Sequence, residues 1–145
     1  MMVLIASMLL VMLGGGSGAV ARFGCQKAVE RWTPLPGWMA IFLVNILGSF
    51  LIGIGFGALH GFELVDRANH MTLVQHFQAA QDIQMGLALF VTGFCGGYTT
   101  FSTFSLDNLF LMYQHPGQMI FNIVGSLVLA TLAAWGGLAV GGTFA

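Results

Sequence analysis

Long apolar stretches alternate with short polar ones along this chain. Four of the apolar stretches, covering approximately 3–21, 37–59, 83–106 and 117–140, predict helices. Each comes close to the roughly 20 residues that a helix needs to cross a bilayer. The third is unlike the others. It contains Gly93-Phe94-Cys95-Gly96-Gly97-Tyr98-Thr99-Thr100-Phe101-Ser102-Thr103-Phe104, three glycines followed by four hydroxyls interleaved with two phenylalanines. Irregular backbone at membrane depth is tolerated only where protein buries it or where it lines a cavity. The third stretch therefore predicts a broken helix, opened near 96–100 around Gly96-Gly97, beside a polar pathway or an ion site.

Composition turns the pattern into a class. The 145 residues are 57% hydrophobic and 6% charged, where soluble domains hold roughly 25% charged residues. Mean hydropathy is +0.89. The chain reads as an all-α integral membrane protein, one membrane domain over residues 1–145 with four spans, and membrane lipid as its solvent. A net charge of −1 offers no basic field for nucleic acid. Lys and Arg divide as Arg22, Lys27 and Arg31 on the first connection against Arg67 on the second. That is a weak orienting signal under the positive-inside rule, and it suits a chain that inserts both ways and pairs antiparallel with itself.

The polar side chains expected within the spans are almost all neutral: Asn45, Ser49, Thr92, Thr99, Thr100, Ser102, Thr103, Asn122, Ser126 and Thr131. A proton-coupled carrier needs a buried carboxylate to titrate, and the spans supply none. Amide N–H and hydroxyl O–H donors instead suit a small, strongly hydrated anion, which exchanges its water for several weak donors and is not trapped by a fixed cation. Phe101 and Phe104, at i and i+3, share a helix face, and the positive edge of an aromatic ring can meet an anion. Asn45-Ile46-Leu47-Gly48-Ser49 and Asn122-Ile123-Val124-Gly125-Ser126 repeat one pattern, with Asn and Ser four residues apart on one face.

Each element also has a plainer explanation. Membrane Ser and Thr commonly bond their own i−4 carbonyl. Gly14-x-x-x-Gly18, Gly53-x-x-x-Gly57 and Gly137-x-x-x-Gly141 read as helix-packing notches. Arg22 reads as a structural residue at the end of the first span, complementing the helix dipole. The long second connection, 60–81, carries His60, His70 and His76, which lack the spacing of a zinc pair and read as solvated loop residues. No nucleophile with a base and an orienting partner emerges, so an enzyme is not expected.

Three stretches in this order resemble the Fluc (CrcB) family of fluoride channels: Gly14-Gly15-Gly16-Ser17-Gly18-Ala19-Val20-Ala21-Arg22, Val44-Asn45-Ile46-Leu47-Gly48-Ser49-Phe50, and Gly96-Gly97-Tyr98-Thr99-Thr100-Phe101-Ser102-Thr103-Phe104. The resemblance implies an antiparallel dual-topology homodimer in a bacterial inner membrane, with broken third helices crossing at its centre. It implies a structural, non-transported sodium ion held there by the backbone carbonyls of Gly96 and Thr99. It implies two pathways that release fluoride passively, with Asn45, Phe101 and Phe104 on the path. Ser102 and Thr103 are hydroxyl candidates between the rings, and Asn122 and Ser126 form a polar track on the fourth helix. Two departures stand out: the longer second connection, and Asp107 where the family commonly has Glu. Two other classes compete, a small multidrug exporter and a non-transporting membrane assembly subunit. The exporter requires a Glu in the first span, and the subunit leaves the Thr-Thr-Phe-Ser-Thr-Phe run unexplained.

Overall fold

The apolar stretches form helices, and several continue well past the point where the sequence turns polar. In a computed structural model, which describes residues 2–68 and 73–144, the helices are α1 (Met2–Trp32), α2 (Gly37–Ala68), α3 (Leu73–Gly86), α4 (Phe101–Gln114) and α5 (Pro116–Gly141). α3 runs directly into wider π-helical turns over Leu87–Cys95 and a last α-helical turn, Gly96–Tyr98. A 3-10 turn, Gly142–Phe144, follows α5. No strand occurs among the described residues.

Among the described residues, three helical stretches are long and apolar enough to cross a membrane: Met2–Trp32, Gly37–Ala58 and Pro116–Gly141. The fourth rod is the interrupted column of α3, the π-helical turns and α4. The chain is a multi-pass membrane protein.

The polar connections are shorter than the pattern predicts. α1 has 31 residues, about 46 Å at 1.5 Å per residue, against a hydrocarbon core of about 30 Å. Gln26, Lys27, Glu30 and Arg31, expected in a loop, ride on its last turns, and only Thr33–Pro36 separate α1 from α2. Pro34 and Pro36, which cannot donate to a helix, hold this link open. The second connection is likewise mostly helical, since α2 reaches Ala68 and α3 begins at Leu73. His60 and His76 thus lie on helical backbone, and His70 lies outside the described residues. Leaving the hydrocarbon ends the apolar pattern but does not end the helix.

Two parallel helix pairs form the frame, and glycine sets the spacing in both. α2 packs along α5, and α1 along the π-helical column. A Cβ placed at Gly53 would fall on the carbonyl oxygen of Ala134, and one at Gly57 on that of Leu138. Reciprocally, Cβ atoms at Gly137 and Gly141 would fall on the carbonyls of Phe50 and Ile54. The other pair repeats the device: Gly14 and Gly18 face the Leu89 and Phe94 carbonyls, and Gly97 faces that of Gly15. Backbones this close require residues without side chains. At one end of the α2–α5 pair, Trp38, Phe42 and Phe121 form an aromatic cluster with ring centroids 5.9–6.3 Å apart.

Candidate functional site: a polar break beside an uncharged groove

The helix does not open at Gly96-Gly97. Gly96 is helical, at φ −64° and ψ −37°, and the helix continues through Tyr98. The backbone becomes extended at Thr99 (φ −77°, ψ 159°) and Thr100 (φ −149°, ψ 125°), and α4 starts at Phe101. Gly97 serves close packing against α1. A threonine pair makes the break, because the Thr100 side chain offers the backbone a different set of partners.

Thr100 is the N-cap of α4: its Oγ1 accepts from Thr103 N at 3.3 Å, and lies 3.2 Å from both Ser102 Oγ and Thr103 Oγ1. The three hydroxyls thus satisfy one another and an otherwise orphaned helix N–H. From α2, Asn45 reaches across to the same residue. Thr100 N donates to Asn45 Oδ1 at 2.9 Å, and Asn45 Nδ2 donates to Thr100 O at 3.1 Å. One carboxamide thereby replaces the helical acceptor that the Thr100 N–H gives up, and adds a second donor to the Thr100 carbonyl, which as the N-cap also begins the α4 ladder.

This diversion has a consequence for carbonyls at the break, Gly96 and Thr99 among them. In a continuous helix the Thr100 N–H would bond to Gly96 O and the Thr103 N–H to Thr99 O. The first is taken by Asn45 and the second by Thr100 Oγ1. Gly96 and Thr99 therefore lose the N–H donors that helix geometry would give their carbonyls, and hard cations seek such oxygens. Cys95 O, one position earlier, still accepts from Thr99 N at 2.9 Å and Thr99 Oγ1 at 3.0 Å.

Beside the break lies an open groove of about 460 Å³, lined by Asn45, Ser49, Thr99, Thr100, Phe101, Phe104 and Ser126 together with Ile52, Ile123 and Leu127. Among the described residues, no charged side chain lines it. Phe101 and Phe104 sit with centroids 6.1 Å apart and planes tilted by 37°. Phe101 is 80% exposed on the subunit, so its ring is presented outward and is not held by packing.

The predicted site residues divide by location. The groove brings together Asn45, Thr99, Phe101, Phe104 and Ser126. Ser102 and Thr103 stand behind it in the Thr100 cap. Asn122 is buried, 1% exposed, and touches the groove only through Ser126, whose hydroxyl donates to its Oδ1 at 3.4 Å. Ser49 takes the plainer role anticipated for membrane serines, donating to Asn45 O at 2.9 Å. Asn108, which the sequence pattern did not single out, pairs with Asn122. A buried Asn next to a charged residue at the end of a span gave no periodic signal.

Arg22 stands away from the groove lining. α1 continues past it to Trp32, so the dipole argument passes to Arg31 in the last turn. Arg22 Nε is instead buried without a hydrogen-bond partner among the described residues. Cys25 and Cys95 are both free thiols, and Tyr98 Oη donates to Cys25 Sγ at 3.4 Å.

Comparison with known proteins gives the chain a family. Residues 9–138 match the family described as CrcB-like protein, Camphor Resistance (CrcB). The chain belongs to the CrcB family. Among its relatives, the proteins named fluoride-specific ion channel FluC of Salmonella arizonae, Salmonella paratyphi B and Salmonella newport are each 35% identical over 135 residues. Those alignments cover 88% of this chain and 91% of each relative. The CrcB match spans α1 through most of α5, and so includes the break, the groove and both glycine-packed pairs.

Proposed function

We propose that this CrcB chain is a fluoride-selective ion channel that lets fluoride leave the cell passively and so lowers its cytoplasmic concentration. The observation that carries the reading is the groove: amide, hydroxyl and aromatic groups converge there, and among the described residues none of its side chains can titrate near neutral pH or hold an anion as a fixed charge. Membership of a family with relatives named as fluoride channels supports it. Fluoride enters cells as neutral HF from acidic surroundings and is left behind as the ion at neutral pH. Its own electrochemical gradient then drives exit, and a pathway without coupling chemistry suffices.

The groove is one-sided within the subunit, and we infer that a second copy completes it. The copies pack antiparallel in the bacterial inner membrane, as an all-α dual-topology homodimer. A sodium ion, structural and not transported, joins the two broken helices through the carbonyls of Gly96 and Thr99. The diverted N–H donors at Thr100 and Thr103 support that choice. On the separate fluoride pathway, Asn45, Phe101, Phe104 and Ser126 meet the fluoride ion, and Ser102, Thr103 and Asn122 support them. The multidrug-exporter alternative has no acid in α1 before Glu30, and an assembly subunit has no use for the capped hydroxyl cluster.

Expression in bacteria lacking their own fluoride export tests the reading. Restored growth on fluoride medium is the expected result. Continued sensitivity, with the protein present and intact in the membrane, would contradict it.

A further inference from the structure

The Phe104 carbonyl sits at one end of a line of hydrogen bonds and fixes the sense of the whole line. Asn108 Nδ2 donates to Phe104 O at 2.8 Å, one turn back along α4. A carbonyl can only accept, so the Asn108 carboxamide must turn its nitrogen to Phe104 and its oxygen to α5. Asn122 Nδ2 donates to that oxygen at 3.0 Å. Asn122 Oδ1 is thereby left to face Ser126, whose hydroxyl donates to it at 3.4 Å. The reverse assignment would set Asn108 oxygen against Phe104 oxygen. Asn108 is 8% exposed and Asn122 1%, so water offers neither amide an easy substitute.

The far end of this line reaches the groove. Ser126 is on its wall, whereas Asn108 and Asn122 are not. With its proton directed at Asn122, Ser126 turns lone pairs to other neighbours. The bond is the longest of the three, which makes it the easiest to exchange. An anion in the groove can take the proton's hydrogen bond and, on leaving, return it to Asn122.

We propose that Asn108 is a positioning residue for conduction: it holds Asn122 in one amide orientation and so keeps the Ser126 hydroxyl poised as a releasable donor. This inference rests on the fluoride-channel reading above. Its role is distinct from that of the groove residues, because Asn108 acts only through Asn122.

A pair of variants of equal shape tests it. In a helix, threonine donates its hydroxyl to the i−4 carbonyl and keeps lone pairs free. Asn108→Thr therefore retains a donor for Phe104 and an acceptor for Asn122, while Asn108→Val retains neither. The full chain is reconstituted in fluoride-loaded liposomes and release is read with a fluoride electrode. Asn108→Thr is expected within about threefold of wild type and Asn108→Val slower by about tenfold, the scale of one net hydrogen bond. Both should elute from a sizing column as wild type does. Ser126→Ala should slow the Thr variant further and leave the Val variant nearly unchanged. Equal release from the Thr and Val variants, or an equal fractional loss on adding Ser126→Ala, would overturn the positioning role. If Asn108→Val does not assemble, Asn108→Ser against Asn108→Ala gives the same contrast. Wild-type release without the contrast refutes this inference alone, while no release from folded wild type refutes the channel reading beneath it.

Discussion

Asn45 on α2 is bonded twice to Thr100, 55 residues away, through Thr100 N to Oδ1 at 2.9 Å and Nδ2 to Thr100 O at 3.1 Å. Two bonds from one carboxamide hold an extended residue where helix geometry would hold a helical one. The break is therefore built from α2 as much as from the third rod. Its threonines lie against the groove because Asn45 fixes them there.

Replacing Asn45 by Leu should strand the Thr100 N–H at a site only 9% exposed, while the Thr100 carbonyl keeps its donor in α4. The loss should be about 1–3 kcal/mol, the cost of one orphaned group. Thermal unfolding in detergent measures it. An unchanged midpoint would mean that the Thr100 N–H finds another partner.

Phe101 and Phe104 separate a packing role from a conduction role. Phe101 is 80% exposed on the subunit, so Phe101→Ala should remove little packing from the fold. If the proposed dimeric channel forms, the double variant Phe101→Ala with Phe104→Ala should elute from a sizing column as wild type does and lose most fluoride release. Loss of the dimer, with release intact per remaining dimer, would assign the rings to packing.

The adjacent glycines Gly136 and Gly137 should behave oppositely. A Cβ at Gly137 falls on the Phe50 carbonyl, while one at Gly136 meets nothing within 4 Å. Gly137→Ala should therefore force α2 and α5 apart at a cost of about 1–3 kcal/mol. Gly136→Ala should be neutral or stabilise helix α5 by about 0.5–1 kcal/mol. Melting curves of the two variants provide the check.

Sodium dependence follows from the proposed use of the Gly96 and Thr99 carbonyls. Protein purified and reconstituted in choline should lose fluoride release, and sodium should restore it. Release at the same rate in both would remove the ion from the account.

Much of this was legible in the sequence, and the failures have physical causes. Apolar length predicts the helices, whereas the break predicted at Gly96-Gly97 lies instead at Thr99 and Thr100. The glycines were legible as special but ambiguous in kind, because glycine supplies both backbone freedom and small size. At Gly96-Gly97 freedom was expected, but helical backbone and a close approach to Gly15 are found. The polar ends of α1 and α2 read as loops in the sequence because hydropathy reports the solvent around a helix, not whether the backbone is helical. Asn108 could not be read at all. Its importance comes from meeting Asn122 across two helices, a contact that no local pattern encodes.

Fluoride release from liposomes tests the central claim most directly. Vesicles holding the purified chain and loaded with fluoride are given a potassium ionophore, and release is followed by electrode beside chloride-loaded controls. Rapid fluoride release with chloride retained is the predicted result. Folded protein in sodium that releases no fluoride, or releases both anions alike, would contradict a fluoride-selective channel.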